Sequence, residues 1–244
     1  MKIAVMGGTG LIGSQVVRLL NAAGHEAVPH SPSTGVDLIS GDGVAAALEG
    51  AVAVVNLTNS PTFDDQSPAW FRASMGNLLA AAAAAGTGHA VILSIVGVDQ
   101  VPDLDYYRAK VLQEDVLKAG PVPYSIVRST QFFEFMDAVM SWTSDERTVR
   151  LPATRVQPIA SADIAKAVAD ATAGAPLNGT RNVAGPEVFT LDELGRITLE
   201  AKGDKRTVVV DDTAGMFAAV KGDALIAGAD AVLSTLTYRE WLAR

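Results

Sequence analysis

The chain has 244 residues, of which 49% are hydrophobic and 19% charged, a composition typical of a well-packed soluble globular protein. It contains no cysteine and only three histidines, which excludes disulfides, thiolate metal sites and cysteine nucleophiles, so we expect no bound metal. A net charge of −8 without a basic cluster argues against direct nucleic-acid contact, and no stretch approaches the roughly 20 apolar residues of a membrane span or resembles a signal peptide, so we expect a cytoplasmic protein.

A glycine-rich turn lies between the first predicted strand, residues 2–6, and a predicted helix whose apolar positions, over residues 15–20, recur at helical spacing. The turn spaces Gly7, Gly10 and Gly13 three residues apart. A tight turn needs residues that tolerate positive φ, and a dinucleotide pyrophosphate approaches the amides of a helix start only where no side chain intervenes. We therefore predict a nucleotide-binding turn in which Gly13 lets the helix pack closely; an ordinary glycine turn is the alternative.

The end of the second predicted strand, residues 25–30, is where a dinucleotide fold usually shows its cofactor preference. An acidic residue at this position favours NAD and a nearby arginine favours NADP, and neither is present. The polar side chains here are His30, Ser31 and Ser33, with Pro32 between the serines. They are interpreted either as a site for the 2′-phosphate of NADP or as an ordinary polar loop.

Predicted strands and helices alternate up to residue 130, which is the pattern of a doubly wound parallel sheet. The further strands are predicted at residues 36–39, 51–57, 89–97 and 122–128, and the helices at residues 43–48, 70–85 and 106–117. The strand over residues 51–57 is continuously apolar, as expected for a parallel strand covered on both faces. A polar loop with Thr58, Asn59 and Ser60 follows it, at the sheet edge where ligands bind in such folds.

Beyond residue 130 the pattern loosens into shorter elements. We predict extended segments within 148–158, helices from Ser161 and over 191–201, strands over 180–184 and 207–210, and a mostly helical tail over 215–244. No linker separates this part, so we interpret it as a small α/β lid packed on the sheet. The predicted dinucleotide-binding domain comprises residues 1–130 and about 156–184, and the predicted substrate-binding lid comprises residues 131–155 and 185–244.

Tyr106 and Lys110 lie one helical turn apart on the same face of a predicted helix. Such a tyrosine works as a general acid or base if the ammonium lowers the phenol pKa from about 10 toward neutrality, and the same lysine can bind a cofactor ribose. Ser94, near the end of the preceding strand, is placed to orient a carbonyl substrate. We predict that the three residues form a hydride-transfer triad; alternatively, Tyr106 packs, Lys110 extends to solvent and Ser94 satisfies a backbone group.

Five segments together resemble the NmrA-like group of atypical short-chain dehydrogenases/reductases. They are GGTGLIG at 7–13, LSIVGVD at 93–99, YYRAK at 106–110, IVRSTQFF at 126–133 and QPIASADIA at 157–165. The resemblance covers nearly the whole chain and weakens after about residue 200. It implies a Rossmann-like doubly wound α/β fold. Members of this group resemble one of two classes of protein. The first class is NAD(P)H-dependent quinone or azo reductases, and the second is non-catalytic redox sensors that bind a dinucleotide and a protein partner.

The resemblance also implies roles for individual residues. The pyrophosphate would be cradled by Gly7, Thr9, Gly10, Leu11 and Ile12, next to Gly13. The remaining implied contacts are Thr58 to Ser60 with the adenosine and its ribose, Lys110 with the nicotinamide ribose, Thr130 and Gln131 with the nicotinamide, and Phe132, Phe133 and Trp142 with the substrate. Two positions depart from the pattern: Pro32 stands where relatives often carry a basic residue, and Ser94 lies one position before the serine of catalytic relatives, where this chain has Ile95.

The sequence therefore predicts an NAD(P)-dependent oxidoreductase that reduces a small quinone-like or carbonyl substrate. Tyr106 would donate the proton, Lys110 would support it electrostatically, and NADP is predicted in preference to NAD. A non-catalytic dinucleotide redox sensor acting through a protein partner is the alternative. A sugar-nucleotide epimerase ranks third, because such enzymes have larger substrate domains. We also expect either a homodimer or a regulatory protein partner.

Overall fold

The computed structural model describes residues 1–244 and divides into two compact units. The first unit comprises Met1–Ser94, Asp105–Arg128 and Ala162–Arg181. The second unit comprises Ile95–Leu104, Ser129–Ser161 and Asn182–Arg244. Each unit is therefore assembled from three separate stretches of the chain.

The elements alternate as the sequence predicts over the first 130 residues. The strands are β1 (Lys2–Met6), β2 (Glu26–His30), β3 (Ala53–Asn56), β4 (His89–Ile95), β5 (Tyr124–Ser129), β6 (Thr148–Leu151), β7 (Arg155–Val156), β8 (Gly179–Ala184), β9 (Phe189–Thr190), β10 (Thr207–Val210) and β11 (Val232–Leu233). The helices are α1 (Leu11–Ala22), α2 (Val44–Leu48), α3 (Ser67–Ala84), α4 (Asp105–Lys118), α5 (Met136–Ser141), α6 (Ser161–Ala173), α7 (Leu191–Lys202) and α8 (Tyr238–Leu242). None of these helices is both long and apolar enough to cross a membrane.

Seven strands form one parallel sheet in the order β11-β8-β5-β4-β3-β1-β2, which confirms the predicted Rossmann-like α/β fold. Two small sheets pair β6 with β10 and β7 with β9. In the large sheet β1 lies between β2 and β3, with Met6 opposite both His30 and Asn56. The strand order reverses at β1, and ligands of open parallel sheets bind outside the carboxyl ends of the strands at such a point. The residues that follow Met6, His30 and Asn56 therefore lie at the expected ligand edge.

A large core cluster of the first unit packs helices against alternate residues of its strands. One core cluster joins residues of β1, β3 and β4 to residues of α2, α3 and α4, so these strands have helices against them. The cluster includes Ala4, Val54 and Ile92 from the strands and Met75, Leu78 and Ala82 from α3. Within the alanine run of α3, Ala82 is fully buried, and its small side chain allows a close approach of the helix.

The expectation of a strand over residues 36–39 is wrong. These residues form a turn in which the Asp37 carboxylate accepts a hydrogen bond from the Ile39 amide at 2.7 Å. Val36 and Leu38 are nevertheless buried in the core. A strand was expected here, but the Asp37 side chain satisfies the local backbone and stabilises a turn instead.

The expectation of a mostly helical tail over residues 215–244 is also wrong. Gly215 and Gly222 adopt positive φ values of 65° and 56°, which interrupt a helix. The tail contains only one α-helix, the short α8, whose start is fixed by a capping box between Thr237 and Glu240. Helix-forming alanines in this part of the chain did not outweigh the glycines between them.

Candidate functional site

The turn after β1 is shaped by backbone contacts that exclude side chains. Gly7 has a φ of +73°, and its amide donates to the His30 carbonyl at 2.9 Å, which fixes the turn to β2. A Cβ atom on Gly13 would lie 2.1 Å from the Gly7 carbonyl oxygen, and one on Gly8 would lie 2.6 Å from the Pro29 Cα atom. Gly13 thus packs α1 directly onto the turn, in agreement with the role predicted from its spacing.

Helix α1 starts at this turn without a side-chain cap. Its N-cap residue is Gly10, and no acidic residue occupies the first turn. The amide of Ser14 donates to the Gly10 carbonyl, so the amides before it have no carbonyl four residues earlier within the helix. Thr9 and Leu11 are exposed beside Gly10. Amide donors and the positive end of the helix dipole are therefore available to a phosphate group.

The polar residues after β2 hydrogen-bond to one another. The Ser31 amide donates to the Thr34 hydroxyl at 2.8 Å, and the hydroxyls of Ser31 and Ser33 lie 2.8 Å apart. Burial, assisted by Lys2, lowers the pKa of His30, and the His30 Nε2 atom is buried without a partner. The position therefore offers neutral hydrogen-bonding groups.

Asn56, at the end of β3, organises the loop in which the adenosine contacts are predicted. Its side-chain oxygen accepts from the Thr58 amide at 3.0 Å and from the Thr58 hydroxyl at 2.7 Å, while its Nδ2 donates to the Met75 sulfur at 3.1 Å. Farther along, the Ser67 hydroxyl donates to the Ser60 hydroxyl at 3.2 Å. The loop is thus held at the carboxyl edge of the sheet by its own side chains.

Tyr106 hydrogen-bonds to this loop. Its hydroxyl donates to the Asn59 side-chain oxygen at 2.9 Å, and its ring packs edge-on against Phe63 with centroids 4.7 Å apart. Burial raises the pKa of Tyr106 to about 12, and the hydrogen bond to Asn59 offsets only part of this effect. The expected lowering of the phenol pKa by Lys110 is therefore wrong for this structure, in which the phenol is protonated at neutral pH.

Lys110 is buried beside the end of β4, with 4% of its surface exposed. Its Nζ donates to the Leu93 carbonyl at 2.8 Å and to the Gln113 side-chain oxygen, and it lies 5.0 Å from the centroid of the Phe71 ring. Burial lowers the pKa of Lys110 to about 7, although the Glu114 carboxylate acts in the opposite direction. The alternative in which Lys110 extends to solvent is therefore wrong.

A buried ion pair that the sequence analysis missed lies next to Ser94. Arg128 donates from Nε and Nη2 to the two carboxylate oxygens of Glu114, both at 2.8 Å. Burial opposes ionisation of Glu114, but hydrogen bonds from Arg128, Ser94 and Lys118 outweigh it and lower the pKa of the carboxyl. The Ser94 hydroxyl makes no hydrogen bond of standard geometry, yet it lies close enough to stabilise this carboxylate. An arginine within a largely apolar strand is the sequence signal for such a pair.

Thr130 and Gln131 follow β5 and belong to the second unit. The Thr130 amide donates to the Val183 carbonyl at 3.2 Å, but the Thr130 hydroxyl and both polar atoms of the Gln131 side chain are buried without partners. Gln131 lines a small pocket whose other walls are apolar: Phe132, Phe135, Met136, Val139, Val156, Pro158, Leu191, Leu194 and Phe217. Buried polar atoms without partners are costly, which makes Gln131 a candidate ligand contact.

The three aromatic residues predicted to shape a substrate pocket have different surroundings. Phe132 lines the pocket described above. Phe133 is buried and packs against Tyr238 and Trp241, with centroid distances of 5.0 and 5.6 Å. Trp142 is 45% exposed, and its ring packs edge-on against the ring of Phe135. Phe133 therefore helps to hold helix α8 in the core of the second unit.

Comparisons with known proteins agree with this geometry. Residues 7–174 match the model of a family described as NAD(P)H-binding. No curated protein sequence matches the chain.

Several solved structures share the fold. A dTDP-4-dehydrorhamnose reductase from Bacillus anthracis in complex with NADP is 15% identical, with a TM-score of 0.71 over 97% of this chain and 90% of the other. A UDP-glucose 4-epimerase from Thermus thermophilus in complex with NAD is 20% identical, with a TM-score of 0.70 over 86% of each chain. MoeE5, in complex with UDP-glucuronic acid and NAD, is 18% identical, with a TM-score of 0.72 over 100% of this chain and 97% of the other. The match to the family model shows that the chain belongs to this NAD(P)H-binding family.

Proposed function

We propose that the protein is an NAD(P)H-dependent reductase of a small quinone-like or carbonyl substrate. The observation that carries the proposal is the buried amine of Lys110, held beside the carboxyl end of β4 in the same unit as the turn formed by Gly7 and Gly13. Gly7, Gly8 and Gly13 leave no room for side chains, and α1 presents free amides, so these residues fit a dinucleotide. A bound reduced dinucleotide supplies the hydride.

Tyr106 is the proposed proton donor. Because burial raises its pKa to about 12, the phenol stays protonated at neutral pH and donates a proton rather than accepting one. When an aldehyde or ketone is reduced, the alkoxide that forms is more basic than the Tyr106 phenolate, so the proton transfer remains favourable for such a substrate. To reach the substrate, the Tyr106 hydroxyl exchanges its Asn59 acceptor for the substrate oxygen. The protonated phenol is the form that reduction requires.

The pocket lined by Gln131 supports a neutral substrate. Its walls carry no charged side chain, and the Gln131 amide is the polar group that can fix a carbonyl or hydroxyl. A nucleotide sugar carries phosphates, which favour cationic contacts such as arginine or lysine. The apolar lining around Gln131 therefore favours quinone-like and carbonyl compounds over a nucleotide sugar such as the UDP-glucuronic acid of the MoeE5 complex.

We propose NADP in preference to NAD. No carboxylate follows β2 to repel a 2′-phosphate, and the hydroxyls of Ser31 and Ser33 can donate to it. His30 adds no charge at neutral pH because its pKa is lowered by burial. Titrations with NADPH and NADH should show tighter binding of NADPH, and the difference should shrink when both serines are replaced by alanine. Equal affinities in the unmodified protein would contradict this preference.

The activity is tested by following NAD(P)H oxidation with a panel of quinones and carbonyl compounds, with nucleotide sugars as the comparison set. We expect turnover of neutral compounds, and we expect Tyr106→Phe to lower kcat by about 10²- to 10⁴-fold, the usual contribution of a general acid. Tyr124→Phe, a tyrosine on β5, is the matched control and should retain the activity. Cofactor binding without turnover of any compound would contradict the proposal.

A dinucleotide-sensing regulator is the second candidate. It is favoured by the hydrogen bond of the Tyr106 hydroxyl to Asn59, since this hydroxyl must leave its acceptor before it can donate to a substrate. A sensor should bind oxidised and reduced cofactor with different affinities and retain a protein partner in a pull-down. Its function should be little changed by Tyr106→Phe, which distinguishes it from the reductase.

A further inference from the structure

Two of the three N–H bonds of a protonated Lys110 have acceptors within the protein. The Leu93 carbonyl accepts one at 2.8 Å, and the side-chain oxygen of Gln113 accepts another. An ammonium group has three donors and no acceptor, so one N–H remains for a further oxygen. Gln113 lies one turn after Lys110 on α4 and is fully buried. Water therefore does not compete with Gln113 for the amine.

The orientation of the Gln113 amide is fixed from both sides. Its oxygen must face Lys110, because an ammonium donates only. Its Nε2 donates to the Met75 sulfur at 3.7 Å, and the same sulfur accepts from Asn56 at 3.1 Å. Gln113, Met75 and Asn56 are all at most 1% exposed. This buried hydrogen-bond chain keeps the Gln113 oxygen on Lys110.

We propose that Gln113 is a positioning residue, which together with the Leu93 carbonyl aims the remaining N–H of Lys110 at a ribose hydroxyl of the bound dinucleotide. The inference rests on the proposed function, since it assigns Gln113 a role through the predicted contact of Lys110 with the cofactor. Gln113 itself does not touch cofactor or substrate in this arrangement. Gln113 orients the Lys110 amine, which makes the contact with the cofactor, and it stabilises the ammonium form of that amine.

Among the groups around Lys110, Gln113 is the one whose side chain accepts a hydrogen bond directly from the amine. The charged group facing Lys110 from its own helix is Glu114, whose carboxylate is bound to Arg128 of β5. Tyr106, also on α4, is neutral and bonded to the loop after β3. Helix α3 contributes the uncharged ring of Phe71, and β4 contributes a backbone carbonyl. Gln113 is thus a direct acceptor whose replacement changes the stability of the ammonium form.

The test is the pH dependence of NADPH affinity in the full-length protein. In the unmodified protein, the affinity should fall as pH rises through the titration of Lys110. Gln113→Met removes an acceptor and should move the midpoint down by about one pH unit, whereas Gln113→Glu adds a carboxylate and should move it up by about 1–3 units. Gln157→Met is the matched control. Gln157 is also a buried glutamine, but it hydrogen-bonds to the Gly185 carbonyl and the Ala227 amide. Its replacement should lower the melting temperature without moving the midpoint.

A double-mutant comparison covers the case in which the glutamate variant fails to fold. In the Lys110→Met background, adding Gln113→Met should cause no further loss of NADPH affinity, because Gln113 acts through the amine. An unmoved midpoint in the Gln113 variants, or an equal loss with and without the amine, would overturn the role of Gln113. Failure of the unmodified protein to bind either NADPH or NADH would instead overturn the proposed function.

Discussion

Replacing Lys110 with methionine should remove a strong pH dependence of the protein's stability. Burial lowers the pKa of this amine from 10.5 to about 7. Between these values the folded state binds fewer protons than the unfolded state, so the free energy of unfolding rises with pH. The methionine variant has no amine to titrate and should lack this rise.

The size of the effect follows from the shift. About 3.5 units, at about 1.4 kcal/mol per unit, correspond to about 5 kcal/mol over the whole range and to about 2 kcal/mol between pH 7 and pH 9. Methionine also leaves the Leu93 carbonyl and the Gln113 oxygen without their donor, which costs about 1–3 kcal/mol for each group. This loss offsets most of the gain from removing the buried amine, so the net change in the free energy of unfolding at pH 7 is small. The slope of the free energy of unfolding with pH is therefore the decisive quantity.

Urea unfolding at pH 7, 8 and 9 measures this slope by linear extrapolation. The unmodified protein should gain about 1 kcal/mol per pH unit more than Lys110→Met. Lys166→Met removes an amine whose side chain is 67% exposed, and it should retain the slope of the unmodified protein. If the unmodified protein and Lys110→Met show the same slope, the amine does not titrate near pH 7 and the reasoning about its burial is refuted.

Three further predictions concern packing and buried charge. Gly13→Ala should abolish NADPH binding or folding, because its Cβ atom would lie 2.1 Å from a backbone oxygen. In the control Gly76→Ala, in α3, the Cβ atom meets nothing within 4 Å, and the variant should raise the free energy of unfolding by about 0.5–1 kcal/mol. Thermal unfolding with and without NADPH measures both effects. Arg128→Met should lower the free energy of unfolding by about 3–5 kcal/mol, because Glu114 stays buried without its main partner, and a loss below about 1 kcal/mol in urea unfolding would argue against this. Burial lowers the pKa of His89 below 6.5, so stability should fall as pH drops through 6.5, and His89→Gln should weaken that dependence in acid titrations.

The fold of the first 130 residues could be predicted because the hydrophobic periodicity, the lengths of the apolar segments and the turn residues indicate the same elements there. The apolar run over residues 51–57 is too short for a typical helix and therefore indicates a buried strand, and the helical spacing after the glycine turn indicates a helix. Residues 36–39 could not be assigned in this way, because Val36 and Leu38 are buried in the observed turn just as they would be in a strand. Burial alone gives the same apolar pattern in both cases.

The site could be predicted only where a motif carries its own geometry. The glycine turn has such a motif, and the spacing of Tyr106 and Lys110 correctly places both on one helix. Spacing does not reveal which groups meet these side chains in space: Asn59, which binds the Tyr106 hydroxyl, lies 47 residues earlier in the chain. Gln113 gives no signal either, since a glutamine in a helix is normally solvent-exposed.

The opposite pKa shifts of Tyr106 and Lys110 have one cause, and they predict how the site responds to its cofactor. Burial disfavours charge on both groups, so the phenol keeps its proton and the amine readily loses one. An anionic dinucleotide favours the ammonium form, so NADPH binding at pH 8 should be accompanied by uptake of up to about one proton by Lys110. Calorimetric titrations in buffers of different ionisation enthalpy measure this uptake, which should disappear in Lys110→Met. The positive charge that Lys110 gains on cofactor binding would in turn lower the pKa of Tyr106. The tyrosine–lysine coupling expected from the sequence therefore arises in the cofactor-bound state. Equal proton uptake by Lys110→Met and the unmodified protein would refute this coupling.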